Sequence, residues 1–101
     1  MNKNKIIEAL EEGTIEWRRH ALERMLERDI SRIEVKRTLR DGEIIEKYET
    51  DVPFASALFF YIDLKAIHVV ASLDETTKTI YIITAYVPDT THFYEDLKTR
   101  R

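Results

Sequence analysis

Three histidines, a row of arginines and one tyrosine at the end of a β-branched run are the side chains best suited to proton transfer and anion binding in this 101-residue chain. His20, Arg24 and Arg28 recur every four residues. At about 100° per residue they fall within roughly 80° of one helical stripe. Arginine forks grip phosphate oxygens, and an imidazole moves a proton near neutral pH, so the row reads as an anion-binding edge. The same spacing fits a salt-bridged helix border, with Glu23 and Glu27 offsetting Arg24 and Arg28, and that is its commoner use. A second group is His68, Thr84 and Tyr86. If residues 74–78 close a hairpin with Leu73 facing Thr79, then His68 faces Thr84, Ala66 faces Tyr86, and the three polar side chains share one sheet face. A four-residue turn would split them across both faces. Polar groups on such apolar strands form either a hydrogen-bonded core network, the usual role of a lone strand histidine, or a site open at the edge. His92 lies near Asp89 and Asp96, but the spacing matches no standard metal site, and no metal ligand is assigned.

Composition narrows the chemistry further. With no cysteine there is no disulfide, thiolate metal site or thiol nucleophile. Gly13 and Gly42 are the only glycines, too few for a dinucleotide fingerprint or a phosphate-binding glycine loop, and no cofactor is expected. Protease and esterase motifs are absent. The N-terminus meets Glu8, Glu11 and Glu12 before any long apolar stretch, unlike a secretory signal, and no run is long enough to span a bilayer; a cytoplasmic protein without membrane contact is expected. The net charge is −3, yet residues 18–40 hold eight basic against four acidic side chains, a basic segment on an otherwise acidic chain. Such a segment suits a phosphate-binding surface, although a solvated face accounts for it nearly as well.

The elements that must position these groups follow from periodicity. Ile6, Ile7 and Leu10 predict a short helix stopped at Gly13, and Trp17, Ala21, Leu22, Met25 and Leu26 predict an amphipathic helix from Trp17 to Arg28. Ser31 and Glu34 have capping-box spacing, which opens a third helix from about Arg32 to Arg40, ended by Gly42. After Gly42 the pattern turns β-branched and aromatic over 43–48, 56–63, 66–73 and 79–87. Pro88 closes the last run. One domain spanning 1–101 is expected, α+β, with N-terminal helices packed on a four-stranded antiparallel sheet and a short C-terminal helical tail carrying Phe93, Tyr94 and Leu97. The apolar alternation is nearly two-sided in the central strands, so a second copy covering one sheet face, a homodimer, is an expectation.

The string His20-Ala21, Arg24-Met25, Arg28, Ile30-Ser31, Val35, Gly42 to Ile45, Tyr48, Asp51, Pro53, His68-Val69-Val70, Thr84, Tyr86 and Pro88 resembles the small bacterial family called domain of unknown function 4258, over about Trp17 to Arg101. That family has been likened to the RelE-type fold of barnase-like and colicin-type ribonucleases, many of them toxins in toxin–antitoxin pairs. The resemblance implies metal-independent RNA cleavage by attack of the ribose 2′-hydroxyl on the adjacent phosphate. His20 or His68 would serve as general base or acid, Tyr86 as proton donor or stacking platform, and Arg24 and Arg28, with Thr84, as the substrate-binding set. RNA, ribosome-bound mRNA included, and an antitoxin protein are the implied partners. The alternative is a non-enzymatic bacterial or phage-related interaction domain whose His and Arg residues organise the core and an interface.

Overall fold

Asn2 opens the first helix, α1 (Lys3–Glu12), by accepting a hydrogen bond from the Lys5 amide at 3.0 Å, and the helix buries Ile6 and Ala9. Its C-cap, Gly13, has an extended backbone that passes so close to Lys78 that a Cβ would stand 1.8 Å from the Lys78 carbonyl oxygen. Only glycine allows that approach. It brings the Thr14 amide to 3.0 Å from the same oxygen and starts β1 (Thr14–Trp17), which the periodicity did not predict. α2 (Arg19–Glu27) begins two residues later than expected because Trp17 belongs to β1. α3 (Arg32–Asp41) carries the full capping box, Ser31 and Glu34 each satisfying the other's backbone amide, and its C-cap is Gly42.

The computed structural model describes residues 1–101 and adds four strands, β2 (Glu43–Tyr48), β3 (Ser56–Ile62), β4 (Ala66–Asp74) and β5 (Thr79–Tyr86). These are the four expected from sequence, but the sheet has five strands in the order β1-β5-β4-β3-β2. β1 runs parallel to β5 and the other pairs are antiparallel, so the expected all-antiparallel sheet becomes a mixed one. A four-residue polar strand with one half-buried aromatic has too short a period-2 signal to stand out beside two helices.

All three helices lie on one sheet face. Ile6, Ala21, Met25, Val35 and Leu39 meet Phe59, Val69, Ala71, Ile80 and Ile82 in one cluster, each nearly or wholly buried. Burying a side chain of the Leu or Phe class contributes about 1.5–3 kcal/mol. The opposite face is covered in part by the C-terminal segment. Phe60 and His68 on that face are buried, and Phe93 of the C-terminal segment packs edge-on to His68 at 4.6 Å between ring centroids.

That segment is a hairpin rather than the expected helical tail. Phe93 pairs antiparallel with Arg100, the Tyr94 amide donates to the Thr99 carbonyl at 2.8 Å, and the Arg101 amide donates to the His92 carbonyl at 2.9 Å. Asp96 holds the tip by accepting from the Lys98 and Thr99 amides, both at 2.9 Å, bonds that pull its carboxyl down to about 2. Aspartate turn chemistry at 89 and 96 overrides the weak helical spacing of Phe93, Tyr94 and Leu97.

Candidate functional site

A cleft of about 620 Å³ opens where the C-terminal end of α2, the end of β5 and the C-terminal hairpin meet. Arg28, Tyr86, Asp89, His92, Phe93 and Arg100 line it. Arg28 reaches it because α2 ends in a Schellman turn: Asp29 adopts φ 55°, its amide donates to the Leu26 carbonyl, and the Ile30 amide donates to the Met25 carbonyl at 2.9 Å. Ile30 and Met25 are both buried, which locks the turn. The Arg28 side chain then crosses to β5 and donates one Nη1 hydrogen bond to the Ala85 carbonyl at 2.9 Å. Its remaining N–H groups are free for an anion.

Tyr86 owes its position to an irregularity in β5. The turn after β4 has four residues between the paired Asp74 and Thr79, which alone would send Tyr86 to the helix-covered face. A bulge at Ile83 then shifts the register, so that Thr84 faces Val70 and Tyr86 faces His68. The two shifts cancel in phase. His68, Thr84 and Tyr86 therefore share a face as expected, although in a different register from the expected His68–Thr84 and Ala66–Tyr86 pairs.

His68 is fully buried with both ring nitrogens committed. Nε2 lies 2.7 Å from the Leu97 carbonyl, which only accepts, so Nε2 carries the proton. Burial lowers the imidazole pKa and keeps the ring neutral, outweighing the Leu97 carbonyl and Glu46, which favour the charged form. The unprotonated Nδ1 accordingly accepts from the Tyr86 hydroxyl at 3.2 Å. Burial raises the Tyr86 phenol pKa, and the Arg100 charge opposes that rise. With its proton turned to His68, the phenol oxygen offers its lone pairs to the cleft.

The hairpin supplies the other wall. His92 donates from Nδ1 to Asp89 Oδ1 at 2.9 Å, leaving Nε2 of this exposed ring free. The hydrogen bonds from His92 lower the Asp89 pKa. Arg100 makes a bidentate pair with Glu46 at 3.1 and 3.0 Å and lies over the Phe93 ring at 5.0 Å. Glu46 also accepts from the Tyr48 hydroxyl, whose pKa is pushed up to about 12 by burial and by the carboxylate. The Arg100 hydrogen bonds lower the Glu46 pKa in turn, and the Glu46 carboxylate raises that of Arg100.

Of the residues singled out from sequence, Arg28 and Tyr86 line the cleft and His68 stands directly behind Tyr86. Thr84 is half-buried on the same sheet face but outside the lining. His20 and Arg24 are exposed on α2 and do not line the cleft that Arg28 enters. The expected salt-bridged border is also not formed as drawn, because Glu23 pairs with Arg19 at 3.1 Å. Sequence reasoning missed the functional promise of His92 and Arg100. The one available signal was Asp89 three residues before His92, the spacing of an Asx turn whose carboxylate can also take the imidazole proton.

A family model described as Domain of unknown function (DUF4258) matches residues 17–87, from β1 to the residue after β5. No curated protein and no solved structure matches the chain. The matched stretch carries Arg28, Glu46, His68 and Tyr86, while Asp89, His92 and Arg100 lie beyond it on the hairpin. With more than two thirds of its length covered, the chain belongs to the family Domain of unknown function (DUF4258).

Proposed function

We propose that the cleft binds an RNA phosphodiester and cleaves it by 2′-hydroxyl attack, as a small ribonuclease of toxin type. The observation that supports this most is the meeting of two arginines, a histidine-backed tyrosine and a carboxylate-paired histidine in one open cavity. Arg28 and Arg100 receive the phosphate oxygens and stabilise the charge that grows on them. The substrate 2′-hydroxyl passes its proton to the Tyr86 oxygen as Tyr86 passes its own to His68 Nδ1. The His68 imidazolium so formed keeps its Leu97 hydrogen bond and feels the Glu46 carboxylate. His92, protonated and held by Asp89, delivers a proton from Nε2 to the departing 5′-oxygen, and a 2′,3′-cyclic phosphate remains. His68 thus acts as base through Tyr86, and the acid is His92 rather than His20.

The test is cleavage of a 5′-labelled single-stranded RNA by purified protein in excess EDTA. Wild type is expected to leave 2′,3′-cyclic phosphate ends, and Tyr86→Phe and His92→Ala to lose about 10²–10⁴-fold in rate with unchanged circular dichroism. His20→Ala and Arg24→Ala are expected to retain wild-type rates. Full activity in Tyr86→Phe, or no cleavage by wild type, would remove the proposal. In bacteria, induced expression should arrest growth, with relief by His92→Ala and by an antitoxin partner.

A second reading, a non-enzymatic interaction domain, is favoured by Leu26 and Ile33, which stand 84% and 69% exposed on the basic α2–α3 segment. On that reading His68 and Tyr86 serve only to hold the hairpin, and Tyr86→Phe changes stability while RNA stays intact.

A further inference from the structure

The hairpin has a second face. Phe93 and Arg100 are a directly opposed pair, and the flanking hydrogen bonds from Tyr94 to Thr99 and from Arg101 to His92 place them at the closely spaced, non-hydrogen-bonded position. Both turn inward: Phe93 meets His68, and Arg100 meets Glu46. Across the hairpin Tyr94 and Arg101 share the outward face, while His92, in the turn that begins at Asp89, lines the cleft. Tyr94 is 50% exposed, unlike the buried Phe93 beside it. The Arg101 guanidinium lies over the Tyr94 ring at 4.8 Å and is itself pinned there, its Nε donating to the Thr90 carbonyl at 2.6 Å and the Phe93 carbonyl at 3.0 Å. One face of the phenol ring is therefore occupied and oriented, and half of the side chain remains open to solvent. None of the proton-transfer steps uses it.

We infer that Tyr94, braced by Arg101, is a nucleobase-stacking subsite for the nucleotide next to the phosphodiester held in the cleft, and that the ligand is single-stranded RNA. Tyr94 is two residues beyond His92, at most about 7 Å of chain, so the ring stands at the edge of the cleft within reach of the neighbouring nucleotide. Any base has a π-face to offer such a ring, and the arginine behind it adds a cation–π contribution, so the subsite selects an unpaired base and is tolerant of sequence. A paired base, stacked within its own helix, is not available to it.

The inference rests on the phosphodiester reading of the cleft, and the test separates the two. Fluorescence anisotropy is measured with labelled octamers: r(A)8, the same octamer abasic at every position, and an RNA duplex, each against wild type, Tyr94→Ala and Tyr94→Trp. Wild type is expected to bind r(A)8 more tightly than the abasic octamer or the duplex. Tyr94→Ala should weaken r(A)8 by roughly 5- to 100-fold and leave the abasic octamer unchanged, while Tyr94→Trp should retain tight binding. If wild type binds both single strands equally, or Tyr94→Ala weakens both alike, the stacking subsite is refuted and the phosphate site stands. If wild type binds neither, both fall.

Discussion

Burial of His68 couples its protonation to folding. Desolvation lowers its pKa below the ordinary 6.5, whereas in the unfolded chain it keeps that value. Above pH 6.5 both states leave the ring neutral and the histidine adds no pH dependence. As pH falls through 6.5 the unfolded chain takes up a proton that the folded one refuses, so stability drops from there down to the depressed folded value. Thermal melts between pH 7.5 and 5 should show a falling Tm in wild type and a flatter profile in His68→Gln, which has no proton to gain. Equal slopes would mean that the folded ring accepts the proton freely. Among the side chains singled out from sequence, His68 and Tyr86 on β4 and β5 do come together, where polar residues in apolar runs announce a need for partners. His20 stands exposed outside the cleft, since four-residue spacing shows that side chains share a stripe and not which way the stripe faces. His92 escaped because its partner is a turn carboxylate, in a segment with no periodicity to read.

At the level of elements, the C-terminal hairpin is anchored chiefly by one buried aromatic. Phe93 is 2% exposed and sits between His68 and the Arg100 guanidinium, with Lys98–Glu43 at 2.6 Å as an exposed ion pair beside it. Phe93→Ala is expected to cost about 3–5 kcal/mol if the hairpin stays docked over the hole. Amide exchange should then quicken from residue 88 onward before it does in β4. A loss near zero in urea unfolding would show that the hairpin is held by its polar contacts alone. The three helices and four of the strands were legible because Ser31, Glu34 and the two glycines mark ends, and because the period changes after Gly42. β1 was hidden in four residues. The bulge at Ile83 was hidden because an extra residue leaves no mark in the hydrophobic pattern of a strand whose solvent-side positions are already mixed.

Across the whole molecule, charge separates two routes by which an anion can bind. Residues 18–40 hold the larger number of basic side chains, whereas the cleft offers only Arg28 and Arg100, with Asp89 and Glu46 close by. If the cleft carries RNA binding, log K against log salt should have a slope of about −1.4, as for two phosphates on a single strand; reliance on the helical surface would give about −3 or steeper. A titration of r(A)8 from 50 to 300 mM salt distinguishes these. The mixed sheet has a further consequence, in time. β5 lies between β1 and β4, so the first strand of the chain finds its neighbour only after the last has been made, and His92 and Arg100 come later still. On the phosphodiester reading, a growing chain therefore lacks His92 and Arg100, and with them a complete cleft, until the hairpin that carries them has been made.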